Sequence, residues 1–260
     1  MPDPMVKTLW LKEIRAQVFT WKGTLWLLIA ALLFSFSSYL MLTDKELSLL
    51  DQTELLWMLG KIILGTAFLI VTIDASSILS AEFERETAES LFLSPVTFPA
   101  VLFAKWLASL TLWLALFAVA APYMIVTSAG TRLVLPFLGY VLLLGTAGIA
   151  GMTLLILGIS LLFRSSKNTL TTSLVILLAL AAPALFSSTL KASGPAQIFA
   201  RINPLANIFE ALDNVLVDYQ LSLLQNGRYL WPLLVFGAAA FAFLIGAVRA
   251  FRRQGYIKHE

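Results

Sequence analysis

The sequence contains no cysteine and one histidine, His259. Without thiols there is no disulfide, no thiolate nucleophile and no Cys-ligated metal. One histidine near the end of the chain cannot build a Ser–His pair or a histidine metal cluster, so most intramembrane enzyme chemistry lacks its parts. No stretch reads GxxxxGK[ST], the loop that cradles nucleotide phosphates, so the chain is not expected to hydrolyse ATP or to be an enzyme. No basic–aromatic groove offers bases a place to stack, and no nucleic-acid partner is expected. No cofactor or metal is expected on the chain itself.

Charge is the other scarcity. Asp, Glu, Lys and Arg make up 13% of the 260 residues, about half of what a soluble domain carries. Hydrophobic residues make up 59%, and they stand in runs of Leu, Ala, Ile, Val and Phe. Most of these runs reach the roughly 20 residues that cross a bilayer. The expected fold is therefore all-α and integral to a membrane, a single transmembrane domain over residues 1–260. Six crossings are expected, over 24–42, 56–80, 98–126, 136–163, 169–187 and 230–250. No cleavable signal peptide is expected, because Lys7, Lys12, Arg15 and Lys22 spread out ahead of the first apolar run and no small-x-small site follows it.

Six crossings put twelve Lys and Arg on one side: Lys7, Lys12, Arg15, Lys22, Arg85, Lys105, Arg164, Lys167, Arg249, Arg252, Arg253 and Lys258. Five fall on the other side: Lys45, Arg132, Lys191, Arg201 and Arg228. Positive charge marks the cytoplasmic side, so both termini are expected there. Residues 5–22 place Val6, Trp10, Ile14 and Val18 on one helical stripe and their cations on other faces, the pattern of a helix lying in the membrane interface against lipid headgroups.

Residues 82–94 read as a short cytosolic helix closed by Pro95. Phe83, Thr87, Ala88, Leu91 and Phe92 share one face, and Glu82, Arg85, Glu86 and Glu89 share another, with Arg85 and Glu89 an i,i+4 pair. Four glutamates against one arginine are repelled by an anionic leaflet, so the acidic face is expected to meet water or a protein. Span four carries Gly145, Gly148, Gly151 and Gly158. These glycines fit close packing inside the bundle or a contact between subunits. Over 203–219, Asn203 and Pro204 open a helix whose apolar stripe is Leu205, Ile208, Phe209, Leu212, Val215 and Leu216. Glu210, Asp213, Asn214 and Asp218 lie opposite, which suits a helix on the outer surface. It reads as a lid on the bundle or as an outer gate, with Phe209 and Leu212 on the substrate path. Two charges lie inside spans and are candidates for the path by default. Lys61 is near enough to the outer end of span two to snorkel. Asp74 is placed to pair with a neighbouring helix, cap a cavity or reach water.

The run Glu84, Arg85, Glu86, Thr87, Glu89, Leu91, Pro95 and then Lys105 resembles the permease subunits of type-2 ABC (ATP-binding-cassette) exporters, although Glu86 and Ala88 stand where the usual form has Gly and Leu. The resemblance extends along the chain, through the in-plane helix, six spans, the short loop Arg164-Ser165-Ser166-Lys167 and a re-entrant region over 188–229. It implies that residues 82–94 are a coupling helix whose Glu82, Phe83, Glu84, Arg85, Glu86, Thr87, Glu89, Leu91 and Phe92 contact a separate ATPase subunit, with Arg164 and Lys167 in the second cytosolic loop. It also implies that ATP and Mg are held by that subunit, that a second permease copy or a relative completes the path, and that substrate is exported across a cell inner membrane. Two other readings of the same helices are a force-transmitting membrane subunit without a path and a secondary transporter. The second expects matching broken helices in two halves, which the sequence does not show.

Overall fold

The computed structural model describes residues 4–43, 51–84, 97–185, 194–222 and 225–253. Among these residues there is no strand, and ten helices follow one another: α1 Pro4–Gln17, α2 Trp21–Thr43, α3 Gln52–Ile78, α4 Ser80–Glu84, α5 Phe98–Thr127, α6 Val134–Phe163, α7 Ser166–Leu185, α8 Gly194–Ile202, α9 Pro204–Leu216 and α10 Gly227–Arg253. Five helical runs are long and apolar enough to cross a membrane: α2, α3 with α4 (Gln52–Glu84), α5, α6 and α10. The fifth crossing expected from sequence, 169–187, corresponds to α7. Its first half holds Ser166, Lys167, Asn168, Thr169, Thr171, Thr172 and Ser173.

The helix expected over 5–22 is shorter. α1 stops at Gln17, and Trp21 and Lys22 already belong to α2. A close backbone approach makes this corner. A Cβ on Gly23 would lie 1.9 Å from the Gln17 carbonyl oxygen and 2.6 Å from that of Val18, so only glycine fits. Thr20 closes the turn, its hydroxyl donating to the Ala16 carbonyl at 3.0 Å.

α3 and α6 form the centre. α6 packs along α10 and also meets α3, α5, α7 and α9. Its glycines explain how. The place a Cβ would take at Gly145 is filled by the Trp113 ring, at Gly148 by Phe68 and Ile208, at Gly151 by Phe236 and at Gly158 by Phe243. Aromatic knobs from α3, α5 and α10 thus enter glycine hollows along one helix. In lipid this close fit supplies the attraction that water supplies to a soluble core. Of the two uses the sequence left open for these glycines, they serve packing within the chain. Trp113 also donates to Thr146 at 2.9 Å, fixing the ring that fills Gly145.

α9 lays its expected apolar stripe against the bundle, with Glu210 and Asp218 exposed. It sits among α3, α6, α7 and α10, and Leu205, Ile208, Leu212, Val215 and Leu216 are buried. The capping reading holds: Asn203 precedes Pro204 and its side chain accepts from the Ala206 N–H at 3.1 Å. The polar face departs from expectation at Asn214, which is buried and bonds Asn226 and Gln220. Asn226 in turn reaches Tyr140, whose hydroxyl donates to the Leu221 carbonyl at 3.0 Å. An amide network therefore fastens the exit of α9 to α6.

Gly145→Ala is expected to force the Trp113 ring aside and cost roughly 1–3 kcal/mol. Gly139→Ala on the same helix has nothing within 4 Å of the new methyl and is expected to be neutral or slightly stabilising. Thermal unfolding of both variants in detergent checks the pair; equal midpoints would contradict the knob-in-hollow account.

Candidate functional site

Charge gathers where α1, the ends of α3 and α4, and the starts of α2, α5 and α7 meet. Lys105 lies two turns into α5 and only 1% of it is exposed, a placement that costs several kcal/mol for an unpaired ammonium. An ammonium has three donors, and each finds an acceptor here. They are Glu13 Oε1 of α1 at 3.0 Å, Glu82 Oε1 of α4 at 2.8 Å, and the Ile78 carbonyl at the end of α3 at 3.0 Å. The carbonyl sits at a helix C-terminus, where the backbone dipole favours a cation. One buried charge thus ties four helices together. This corrects two expectations. Lys105 is a buried ion-pair centre within α5, not a charge of a cytosolic loop. Glu82, expected on an outward acidic face, is turned inward.

A second pair lies beside the first. Asp74 is 3% exposed and its Oδ1 is 2.7 Å from Lys22 Nζ. Lys22 stands at the start of α2 and is about half exposed. It also donates to Ser77 Oγ at 3.2 Å. Of the roles open to Asp74 in the sequence, the structure shows pairing with a neighbouring helix. α1 is held to α5 a second time, by the Trp10 indole N–H on Thr111 Oγ1 at 3.1 Å.

A third link runs from α4 to α7. Glu84 Oε1 accepts the Ser166 backbone N–H at 2.7 Å, and Oε2 accepts the Ser166 hydroxyl at 2.8 Å. A carboxylate on the first N–H of a helix is favourable through the helix dipole. Ser80 Oγ adds a bond to Ser166 Oγ at 3.1 Å. Phe83 packs on Phe251 of α10, whose ring also stacks on Phe98 at 5.6 Å. The Arg164 guanidinium lies 5.0 Å from the same Phe251 ring. Arg164 ends α6 in a left-handed conformation with φ 52°, and Lys167 is exposed. The rest of the expected coupling helix, with Arg85, Glu86, Thr87, Glu89, Leu91 and Phe92, lies outside the described residues.

The other expected path residues, Lys61, Phe209 and Leu212, lie apart from this cluster. Lys61 Nζ sits over the Trp57 ring, 3.2 Å from its centroid. That indole N–H donates to the Phe209 carbonyl at 3.0 Å, joining α3 to α9. Phe209 is half-buried, and Leu212 is fully buried beside Gly60. Among the described residues no group of three or more His, Cys, Asp or Glu is placed to hold a metal. Short polar links thus join α4 to α5 and to α7, and α5 in turn to α1.

Sequence reasoning placed Glu82, Phe83 and Glu84 in the functional segment and Asp74 among the path candidates, but missed Lys105 (shared with Glu13) as the partner of Glu82, Ser166 as that of Glu84 and Lys22 as that of Asp74. The available signal was Lys105 itself, a lysine followed by more than twenty apolar or small residues in the same helix. A family model described as "ABC-2 family transporter protein" matches residues 50–247. No curated protein matches the chain.

Lys105→Met leaves two carboxylates facing each other and is expected to cost roughly 3 kcal/mol, the low end for breaking a buried pair because both acids keep some exposure. Adding Glu13→Gln and Glu82→Gln to Lys105→Met is expected to recover most of that loss. Chemical or thermal unfolding in detergent reads both; a triple variant no better than Lys105→Met would contradict the account.

Proposed function

The chain belongs to the ABC-2 transporter family, and from that premise we propose that it is the permease subunit of an ATP-driven exporter, powered by a separate ATPase subunit. The family match supports a multi-pass membrane permease that works with an ATP-binding subunit. In this proposal α7 is the sixth crossing beside the five apolar runs, both termini are cytoplasmic, and a second copy or a related permease completes the path. ATP and Mg are held by the ATPase subunit.

The observation that carries the coupling mechanism is the position of Lys105. The residues just after α3 lead into the acidic stretch Glu84 to Glu89, the part an ATPase subunit would grip. Displacement there pulls on Glu82, and Glu82 shares one ammonium with Glu13 and α5. It also pulls on Glu84, which caps α7, and on Phe83, which packs against α10. A push at one short segment therefore reaches α1, α5, α7 and α10 together. Packed interfaces of this kind change between discrete arrangements and do not deform continuously, so the bundle end works as a lever junction. A secondary transporter would concentrate buried charge near the membrane midplane. Here the paired charges stand at one end of the bundle, which favours an external motor.

Glu86→Lys with Glu89→Lys is expected to abolish co-purification of a Walker-motif ATPase while leaving the thermal midpoint of the permease unchanged. Glu84→Gln is expected to keep the ATPase bound and lower coupled ATP hydrolysis, because the α7 cap is weakened. Retention of the partner and of coupled hydrolysis by the Glu86/Glu89 variant would overturn the assignment.

A further inference from the structure

α7 meets the run α3–α4 through a row of hydroxyls. Thr72, Ser76 and Ser80 follow at four-residue spacing, which places them on one helical face. Ser166, Thr169 and Ser173 form the matching row on α7. Two contacts set the register of this packing. At one end the Ser80 hydroxyl donates to Ser166 Oγ at 3.1 Å. At the other, Phe68 lines a small apolar cavity together with Leu177 and Leu180. Twelve residues separate Phe68 from Ser80, and eleven separate Ser166 from Leu177. The two helices therefore run antiparallel with matched rise, and Thr72 and Ser76 stand opposite Thr169 and Ser173.

Buried hydroxyls elsewhere in the bundle turn back onto their own helix, as those of Ser109, Thr153 and Ser160 do. In the seam Ser76 and Ser80 do the same, bonding the Thr72 and Ser76 carbonyls. Thr72, Thr169 and Ser173 do not. Each is 0% exposed, and its hydroxyl has no hydrogen-bond partner in the protein. A buried hydroxyl left unpaired carries a desolvation penalty that an apolar group of the same shape does not. Three of them on one interface oppose the closed seam and favour its wetting. We propose that this seam is a parting line. In a second arrangement α7 swings off α3 at its Ser166 end, and the crevice between Thr72, Ser76, Thr169 and Ser173 takes in water. Glu84 is the latch, because its carboxylate holds the Ser166 N–H and hydroxyl at the mouth of the seam. Phe68, Leu177 and Leu180 form the hinge end, where no hydroxyl gains from water. Packed helices switch between discrete arrangements, and a crevice of this kind is a minor state that its ligand, here water, stabilises. The export reading supplies a motor for the latch, but parting is a property of the chain alone and is tested on it.

The chain has no cysteine, so single cysteines report water entry directly. The full chain in detergent is labelled with a small cationic methanethiosulfonate. Lys167→Cys serves as the exposed reference and Thr153→Cys as the buried one. Ser173→Cys is expected to label at roughly 1–10% of the Lys167→Cys rate, the share of time a minor arrangement holds, and about tenfold faster than Thr153→Cys. Adding Glu84→Ala is expected to raise the Ser173→Cys rate several-fold and to leave that of Thr153→Cys unchanged. A second variant needs no label. Thr72→Val with Thr169→Val and Ser173→Ala is expected to raise the thermal midpoint by a few degrees, because the unpaired hydroxyls are gone from the closed seam. Labelling of Ser173→Cys no faster than Thr153→Cys, no response to Glu84→Ala, or a lowered midpoint in the hydroxyl-free variant would each overturn the proposal. Absence of any ATPase from the purified complex would remove the export reading and leave these outcomes as they stand.

Discussion

The ammonium of Lys105 lies inside a bundle built from apolar helices, and each of its three protons has to be taken by something. Glu13, Glu82 and the Ile78 carbonyl take them, and these three acceptors come from three different elements. Any motion that separates α1, α4 or the end of α3 from α5 leaves a charge exposed to low dielectric, where the penalty is several kcal/mol. The junction therefore moves as a unit or changes state as a unit. The pair Lys22–Asp74 extends the same constraint to α2, and Glu84 on Ser166 extends it to α7.

Away from the junction the bundle is held by shape. Lipid tails are as apolar as leucine, so burying more leucine gains little there, and close approach of helices has to supply the attraction. α6 gains close approach by omitting side chains, and the rings of Trp113, Phe68, Phe236 and Phe243 fill the hollows. α9 uses the same surface, since Ile208 shares the hollow at Gly148 with Phe68. The amides of Asn203, Asn207 and Asn226 satisfy backbone groups at the ends of α9, and the Asn214 amide bonds the side chain of Asn226. This lets a broken segment sit among helices, because irregular backbone at membrane depth is tolerated only where protein surrounds it. The molecule thus has a polar, switch-like end and a packed, apolar body. In the proposed mechanism, a force applied at the polar end is passed on by these closely packed helices.

Periodicity and composition were enough to locate the helices, because a hydrophobic run of a given length has few alternatives in a bilayer. α2, α3, α5, α6 and α10 fall within a few residues of the expected crossings, and the Asn203-Pro204 start of α9 was legible from capping chemistry alone. The limits were equally physical. A stripe of Leu205, Ile208, Leu212, Val215 and Leu216 is the same in sequence whether the helix floats on a surface or is enclosed by four others. Asn214 on the opposite face gave no sign that Asn226 and Gln220 awaited it. The corner at Gly23 was invisible because the pattern of α1 continues past Gln17 into α2.

The sequence by itself determined that this is a helical membrane protein with an acidic segment after its second apolar run, since hydropathy, charge bias and proline positions act locally along the chain. Only the tertiary structure decided what those charges do. Glu13 and Lys105 are 92 residues apart, and Lys22 and Asp74 are 52 apart by number. Such pairs are set by which helices pack together. A buried charge is stabilised by its neighbours in space, and the linear order of residues does not contain them.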